Sequence, residues 1–400
     1  MVFIESIIFF LLFLRFYPFL RKKPCKNTAM NGKKQYLCMK ITAYMEEVQS
    51  KVRIKDIAEM AGVSVGTVDR VIHGRKNISK SALEKVQRVL KELDYVPNHY
   101  ASALASNKTY NFAAILPMHE VDSYWARVEK GLVEGIHRYS DFKMSFKIFR
   151  YDPFNSESFE AQIQQLVDSD PFAVIIGPIF NFNIMKKLID KLEEKNTPYA
   201  LIDSNWPEFN PVTFYGQDSI RSGEFAARII LMAAAGAKHI ALFKLIGEGR
   251  VASRQQVNRE KGFRDYMKKH SPETEIVDIN LYVYDKEGVR QTLRDFFLSN
   301  PDIRYGLSFN SSIHYVAHFL RDEMPDHEHV TLLGYDAIDA NVECIKDGSV
   351  DFLIAQHPQK QGLNCLRSMV NACVLRMKQK KDHYMAIELL TKENIDFYKD

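Results

Sequence analysis

The chain has 400 residues, of which 46% are hydrophobic and 26% are charged. This length and composition allow the cores of two or three globular domains and exclude a largely disordered protein. The charge is uneven: from Lys51 to Thr109 there are 11 basic and 6 acidic side chains, whereas from Tyr110 onward there are 35 basic and 41 acidic. A basic front and an acidic body are typical of a nucleic-acid-binding domain joined to a sensing domain, although chance segregation between domains is the alternative.

The first 23 residues, MVFIESIIFFLLFLRFYPFLRKK, form an apolar run that ends in a basic cluster. Three interpretations are open: a start assigned too far upstream, which we favour, a membrane anchor, or a cleaved signal peptide. The uninterrupted core, Ser6 to Leu14, is short for a spanning helix and has no small-residue cleavage site. Met39 and Met45 lie just before the ordered pattern. We therefore treat residues 1–50 as an N-terminal extension.

The cysteines predict neither disulfides nor a metal site. They are Cys25, Cys38, Cys344, Cys365 and Cys373. No C-x-x-C pair occurs among them, and no histidine lies at zinc-ligand spacing. We expect reduced structural thiols in a cytoplasmic protein that has no metal and no cofactor.

The stretch DIAEMAGVSVGTVDRVIHG, residues 56–74, has the pattern of two short helices around one glycine. Apolar side chains recur at helical spacing up to Ala61, and Gly62 is able to adopt the positive φ of a tight turn. Ser64 is suited to cap a second helix that presents Val68 and Val71 to the first. The outer face of this second helix comprises Val65, Gly66, Asp69, Arg70 and His73.

A third helix, SKSALEKVQRVLKELDY, is predicted over residues 79–95, with Ser79 as its cap and Pro97 after its end. Its apolar stripe comprises Leu83, Val86, Val89, Leu90 and Leu93. The three helices close a small core, so residues 51–97 are predicted to be a helix-turn-helix DNA-binding domain. A generic three-helix bundle with a solvated basic face is the alternative.

The segment from Arg53 to Ser106 resembles the headpiece of the lactose-repressor/galactose-repressor (LacI/GalR) family of bacterial transcription regulators. The resemblance rests on the order and spacing of RIKDIAEMAGVSVGTVDRVIHG and ISKSALEKVQRVLKELDYVPNHYASALAS, including the Y-x-P-N joint at residues 95–98. It implies a homodimer on a palindromic double-stranded operator. It also implies that residues 98–110 form a hinge helix and linker, and that Leu104 wedges into the minor groove. An ordinary linker leucine is the alternative at that position.

The resemblance puts the base-reading residues at the start of the second helix. Val65 offers a methyl contact to thymine, Gly66 offers almost nothing, and Arg70 is expected to donate to a guanine edge or a phosphate. Asp69 departs from the small polar residue usual in the family, and phosphate would repel its carboxylate unless it accepts from a cytosine amine. The DNA-binding candidates are Ser64, Val65, Gly66, Thr67, Arg70, His73, Asn98, His99, Ala101 and Leu104.

From residue 111 onward, apolar β-rich runs alternate with amphipathic helices. The runs are FAAILPM, KMSFKIFR, FAVIIGP, PYALID, HIALFKL, TEIVDINLY, RYGLSFN, HVTLLGYD and VDFLIAQHP. This alternation predicts two doubly wound α/β lobes with parallel sheets, connected after Tyr215 by the helix DSIRSGEFAARIILMAAAG. Ligands of such folds bind beyond the carboxyl ends of the strands, in the cleft between lobes.

Polar and aromatic side chains follow these strands. They are Asp122, Ser123, Tyr124, Trp125, Asp203, Asn310, Asp336 and Gln356. The arrangement resembles the periplasmic-binding-protein-like effector domain of the same family, whose R-x-x-G-F motif implies Arg259 as a ligand-binding arginine. Residues 111–400 are thus predicted to bind the effector and to dimerise. The predicted ligand-binding set is Ser123, Tyr124, Trp125, Asp203, Arg259, Asn310, Asp336 and Gln356.

Carboxylates, a guanidinium, amides and an aromatic face suit a sugar. A nucleobase is the second candidate effector, because Tyr124 and Trp125 could sandwich a flat ring. A periplasmic-type solute receptor would explain the cleft and the apolar start but not the helix-turn-helix. An enzyme is disfavoured because IGEGR, residues 246–250, lacks the lysine and spacing of a phosphate-binding loop. We expect a regulator with a small-molecule effector and no stable membrane association.

Overall fold

The computed structural model describes residues 53–72, 77–93, 95, 100, 103–104, 108–179, 181–234, 236–247, 253–282 and 285–400. The chain divides into two compact units, Met1–Asn98 and His99–Asp400. The N-terminal extension lies outside the described residues.

The N-terminal unit contains three helices, α1 (Ile54–Ala61), α2 (Val65–Ile72) and α3 (Lys80–Glu92). Gly62 ends α1 at φ 63°, in the left-handed conformation that glycine adopts without strain. The Ser64 hydroxyl accepts a hydrogen bond from the Thr67 N–H at 3.2 Å and so caps α2. Ile57, Val68 and Val86 are completely buried where the helices meet. The predicted helices, turn and cap of the helix-turn-helix are confirmed.

The third helix ends earlier than predicted. Its cap is as expected, because the Ser79 hydroxyl accepts from the Ala82 N–H at 3.3 Å. The helix stops at Glu92, and the Tyr95 N–H donates to the Leu90 carbonyl at 3.0 Å, five residues back instead of four. The chain therefore leaves the α-helical pattern before Pro97, which lies outside the described residues.

The first lobe of the C-terminal unit is one six-stranded sheet covered by helices. Its strands are β1 (Tyr110–Pro117), β2 (Met144–Tyr151), β3 (Ala173–Ile176), β4 (Tyr199–Ile202), β5 (Thr213–Gly216) and β11 (Asp382–Tyr384). Its helices are α4 (Tyr124–Arg138), α5 (Ser156–Asp168), α6 (Phe182–Glu194) and α12 (Pro358–Cys373). The strands are all parallel, in the order β11-β5-β4-β3-β1-β2. Every residue of β3 and β4 is buried, as expected for a sheet covered on both faces.

The second lobe repeats this plan. Its strands are β6 (His239–Ile246), β7 (Glu275–Tyr282), β8 (Tyr305–Leu307), β9 (Thr331–Tyr335), β10 (Phe352–Ala355) and β12 (Glu388–Leu390). Its helices are α7 (Ser219–Ala233), α8 (Arg254–His270), α9 (Lys286–Ser299), α10 (Ile313–Glu323) and α11 (Asp339–Asp347), and a 3₁₀ turn follows at Ile395–Phe397. The order is β12-β10-β9-β8-β6-β7, with only β12 antiparallel to its neighbour. The predicted pair of doubly wound lobes is confirmed.

The connecting helix was also predicted correctly. Helix α7 begins after β5, and the Asp218 carboxylate caps it by accepting from the Arg221 N–H at 3.1 Å. Helices α7 and α8 approach each other closely at Gly223. A Cβ atom at this position would lie 1.9 Å from the carbonyl oxygen of Arg259, so only glycine fits. This close approach fixes the part of α8 that carries Arg259.

The sequence did not predict β5, β11 or β12. The described chain passes between the lobes three times: after β5, after β10, and between β11 and β12. The last two crossings follow from the placement of β11 in the first lobe and β12 in the second. Three crossings make the connection between the lobes a hinge of several strands rather than a single linker.

Candidate functional site

A cavity of about 710 Å³ lies between the two lobes. It is bordered by the segments that follow the carboxyl ends of β1, β4, β8, β9 and β10 and by the first turns of α4 and α8. This is the position at which doubly wound folds bind ligands. A cavity of this size accommodates a small molecule.

All eight predicted ligand-binding residues line this one cavity. They are Ser123, Tyr124, Trp125, Asp203, Arg259, Asn310, Asp336 and Gln356. Ser123 is also the cap of α4, since its hydroxyl accepts from the Ala126 N–H at 3.2 Å. Asn310 accepts from the Ser308 hydroxyl at 2.9 Å and from the Ser312 N–H at 3.0 Å. The predicted residues thus converge in space, although they span more than half of the chain.

Arg259 is the largest of the fully buried side chains, with 1% of its surface exposed. One terminal nitrogen, Nη1, donates to the Phe309 carbonyl at 2.8 Å, and Nη2 donates to the Gln356 side-chain oxygen. The guanidinium lies 4.0 Å above the ring of Tyr335. The Nε–H is buried without a hydrogen-bond partner. The guanidinium is therefore held rigidly and retains donor capacity.

Asp203 and Asp336 face the cavity from opposite lobes, directly after β4 and β9. They are 3% and 4% exposed, and both have positive φ angles, 71° and 68°. Burial raises the pKa of Asp203, and it raises the pKa of Asp336 to about 7. In both cases Arg259 opposes the effect of burial. Two strained, buried carboxylates without a direct ion pair are typical of a binding site rather than of a structural core.

A chain of amides connects these charged groups. The Gln356 side chain accepts from Arg259 and donates to Asp336 Oδ1 at 2.8 Å. Gln255 donates to the Gln356 oxygen at 3.1 Å and to the Asp203 carbonyl at 3.4 Å. Gln255 was not among the predicted residues; it precedes Arg259 by one helical turn and lies on the same face of α8. That i, i+4 spacing is the signal that could have identified it.

Tyr124 and Trp125 do not form the predicted sandwich. Their ring centroids are 5.0 Å apart and the rings meet at 83°, edge to face. A flat ring needs two parallel faces about 7 Å apart to be sandwiched, and a perpendicular pair has none. The Tyr124 hydroxyl is buried without a hydrogen bond of ordinary geometry, and burial together with nearby Asp203 raises its pKa.

The rim of the cavity carries a contact between the lobes. Helix α11 begins after Ile338, whose side chain cannot accept a hydrogen bond and so cannot cap the helix. Asp122 of the other lobe caps it instead, because Asp122 Oδ2 accepts from the Asp339 N–H at 2.7 Å. Arg127 lies 3.3 Å from the Asp122 carboxylate and 2.9 Å from the Asp339 carboxylate. Closure of the lobes thereby caps the amino end of α11.

Gln217 lies where the strands cross between the lobes. Its side-chain nitrogen donates to the Ala355 and Ala386 carbonyls, each at 2.8 Å, and its oxygen accepts from the Ser222 hydroxyl at 3.2 Å. One side chain therefore joins all three crossings. This role of Gln217 was not predicted, because a single glutamine after a strand has no distinctive sequence pattern.

The candidate DNA-binding face belongs to the N-terminal unit. Val65, Gly66 and Arg70 are exposed on α2, while Val68 is buried beneath them. The Ser64 and Thr67 hydroxyls lie 2.9 Å apart at the start of the helix. In the C-terminal unit, Leu104 is helical and 52% exposed. His73, Asn98, His99 and Ala101 lie outside the described residues.

The rest of the described chain offers neither a metal site nor a membrane span. Within the ranges that the structure describes, no group of three or more His, Cys, Asp or Glu side chains could hold a metal ion. In the same ranges, no helix combines the length and apolarity needed to cross a bilayer. Cys344, Cys365 and Cys373 are free thiols, and burial raises the pKa of Cys344 to about 11 and that of Cys373 to about 12. Cys25 and Cys38 lie outside the described residues.

The fold and its cavity define a class of protein: a two-lobed binding domain preceded by a helix-turn-helix. Residues 112–376 match the family model of the periplasmic binding protein domain, and residues 53–98 match that of the bacterial regulatory proteins of the lacI family. The chain belongs to the LacI family of bacterial regulatory proteins, which are DNA-binding transcriptional regulators and not enzymes.

Individual proteins agree with this assignment. The chain is 31% identical to the HTH-type transcriptional regulator DegA of Bacillus subtilis over 218 residues, which are 54% of this chain and 61% of DegA. The crystal structure of a candidate LacI transcriptional regulator from Bacteroides fragilis is 39% identical, with a TM-score of 0.70, and covers 73% of this chain and 100% of that one. An ABC-transporter solute-binding protein from Bacillus halodurans with bound myo-inositol shares the fold at 17% identity, with a TM-score of 0.63 over 74% of this chain and 98% of that one.

Proposed function

We propose that this protein binds a palindromic operator as a homodimer and that a small polyhydroxy effector, most simply a sugar, changes its affinity for DNA. One observation carries the proposal: two buried carboxylates, a guanidinium and three amide side chains, contributed by both lobes, converge on one cavity. Carboxylates and amides are suited to bind adjacent hydroxyls, and an exposed part of an aromatic ring is suited to bind the apolar face of a sugar. The protein would act in the cytoplasm, where its DNA is.

The contacts between the lobes suggest how the effector acts. An effector held by Asp203 in the first lobe and by Arg259, Asn310 and Asp336 in the second has all its contacts only when the cleft is closed. The orientation of the lobes would then set the separation of the two hinge segments in a dimer, and with it the insertion of Leu104 into the minor groove. Whether closure raises or lowers DNA affinity depends on the direction of that movement.

The alternatives have less support. The nucleobase hypothesis depended on a sandwich of Tyr124 and Trp125, and the two rings are perpendicular. A solute receptor would have no use for the capped, exposed helix α2. The observations favour neither.

The operator is expected to be palindromic and to need both halves. Sites selected from random DNA by the full chain, at one stated salt concentration, should show two-fold symmetry, because two short reading helices on one dyad double the contacts. A single half-site should bind at least about 100-fold more weakly in a gel-shift titration. Equal binding of the half-site and the full site would contradict the dimer.

Replacing Arg70 with alanine is expected to cost about 1–3 kcal/mol of operator binding and to relax base preference nearby. The reason is that Arg70 is the exposed cation on the face of α2 that is proposed to enter the major groove. Arg88→Ala is the matched control, because Arg88 is exposed on α3 and pairs with Glu92 one turn away. An unchanged footprint in the Arg70→Ala variant would remove this residue from the recognition set.

A further inference from the structure

The described residues that line the cavity carry an unbalanced charge. Five of them are acidic and one is a permanent cation: Glu120, Asp122, Asp152, Asp203 and Asp336 against Arg259. Within this set the buried charged groups are Asp203, Asp336 and Arg259, two carboxylates and one guanidinium. Like charges in a buried site repel each other strongly, because little water is present to screen them.

We propose that the effector of this cleft is an uncharged polyhydroxy compound and that Asp203 and Asp336 exclude acidic and phosphorylated sugars from it. This inference rests on the proposed function and narrows the class of its ligand. An anionic group on the effector would add a third negative charge next to two buried carboxylates. A hydroxyl instead donates a hydrogen bond to either carboxylate and adds no charge.

The acceptor capacity of the two carboxylates fits hydroxyl donors. Asp336 accepts from Gln356 through Oδ1, and Asp203 accepts from the Ser204 hydroxyl through Oδ2 at 3.1 Å. An ionised carboxylate has about four acceptor positions, so each group retains capacity toward the cavity. Burial raises the pKa of both carboxyl groups, and the hydrogen bonds that they already accept lower it without cancelling that effect.

The guanidinium does not offset this preference. Two of the five N–H groups of Arg259 donate to the protein, one from Nη1 to Phe309 and one from Nη2 to Gln356, and one face of the group is covered by Tyr335. The remaining N–H groups can donate to a ligand hydroxyl as well as to an anion, so what limits anion binding is that one positive charge faces two carboxylates. The charge of Arg259 is shared between the two carboxylates, since it lowers the pKa of both Asp203 and Asp336.

Helix amino ends also border the cavity, and such ends attract anions. At each of these helix ends a side chain accepts a hydrogen bond from a backbone N–H group that an anion would otherwise use. Ser123 caps α4, Ser253 caps α8, and the Asp122 carboxylate caps α11. The last of these caps is itself negative. Each helix end carries about half of an elementary charge, so the ends of α4 and α8 together carry about one, against the two charges of Asp203 and Asp336 when both are ionised.

The test measures dissociation constants of the full chain by calorimetry at pH 8, above the pKa of Asp336, which is about 7. In each set of probes the members share a sugar ring and differ at the terminal carbon, which carries a hydroxyl, a carboxylate or a phosphate: D-glucose, D-glucuronate and D-glucose 6-phosphate; the corresponding galactose set; and D-ribose with D-ribose 5-phosphate. Within any set that binds, the neutral sugar is expected to bind at least about tenfold more tightly than its acid and its phosphate. Equal or tighter binding of the charged member would overturn the inference and leave the sugar effector standing.

If no member of any set binds and adenine or guanine does, the polyhydroxy effector of the proposed function is wrong. The double variant Asp203→Asn/Asp336→Asn tests the cause, with its fold checked by circular dichroism. It should lose neutral-sugar affinity at least about tenfold and should lose most of the discrimination against the acid. Asp326→Asn, which removes an exposed carboxylate of the lobe that carries Asp336, should behave as the wild type. Unchanged discrimination in the double variant would overturn the role of the two aspartates.

Discussion

Replacing Arg259 with methionine is expected to abolish effector binding and to lower the free energy of unfolding of the C-terminal unit by about 3–5 kcal/mol at pH 8. The substitution keeps much of the side-chain volume but removes the one permanent cation among the described residues that are buried in the wall of the cavity. Asp203 and Asp336 are then left as buried charges without compensation. The Phe309 carbonyl and the Gln356 oxygen also lose a donor.

This cost should depend on pH. At pH 5.5, below the pKa of about 7 that Asp336 has in the wild type, less of the charge penalty remains and the loss of stability should be smaller. Denaturant titrations of the wild type and the variant at both pH values measure the difference. Lys261→Met is the matched control on the same helix, because Lys261 is exposed and its ion pair with Asp265 contributes little. Equal losses of unfolding free energy in the Arg259→Met and Lys261→Met variants would show that Arg259 does not compensate the buried carboxylates.

The stability of the effector-free protein is expected to fall as pH rises from about 4 to 7, and Asp336 should account for much of the change. The folded protein raises the pKa of this carboxyl to about 7, far above its ordinary value, chiefly through burial. A group with a raised pKa contributes stability that is fully present below its unfolded pKa and is lost as pH rises through its folded pKa. The slope is at most about 1.4 kcal/mol per pH unit in that window.

The groups around Asp336 give the sign of this effect. Arg259, Arg127 and the Gln356 amide favour its ionised form, while burial and the Asp203 charge oppose it. Asp203 itself has a raised pKa and acts in the same direction. Asp336→Asn should flatten the dependence of the melting temperature on pH between 4 and 8. Asp326→Asn should leave that dependence unchanged, and an equally steep profile in both variants would rule out Asp336 as its source.

Effector affinity is expected to rise with pH, whereas the stability of the effector-free protein falls. Hydroxyls of a polyol donate to the ionised carboxylate, so binding must displace the proton that Asp336 holds below pH 7. Affinity should therefore rise with pH by as much as about tenfold per unit up to pH 7 and then level off. Calorimetry of one bound sugar at several pH values tests this, and proton release measured in two buffers would accompany it.

Local patterns were sufficient to predict most of the fold. The two lobes were predicted from apolar strands such as AVII and YALI, whose continuous burial leaves little ambiguity. Strands β11 and β12 are different, since each has three residues and β11 reads DHY. These are short edge strands that pair with partners far along the chain, so their own residues carry no signal. The sequence predicted the crossing after β5 but neither the one after β10 nor the one between β11 and β12, because both depend on these short strands.

Most of the residues that line the cavity were predicted from chain order, because parallel strands bring their carboxyl ends to one edge, whereas Arg259 was predicted from the R-x-x-G-F motif of the family. Contacts that depend on the lobes being together could not be predicted in this way. The cap that Asp122 provides for α11 and the bridge that Gln217 forms across the hinge join residues more than 130 positions apart. The angle between the Tyr124 and Trp125 rings likewise depends on how the two side chains pack, and their being neighbours in the sequence does not fix it.

The most direct test is operator affinity with and without the tightest-binding sugar, measured for the wild type and for Asp336→Ala. We expect the sugar to change wild-type operator affinity by about 5- to 150-fold, and operator DNA to change sugar affinity by the same factor. The Asp336→Ala variant should still bind the operator, either as the effector-free wild type does or locked in one state, and should not respond to the sugar. A variant that responds with wild-type sensitivity would show that this cavity is not the effector site.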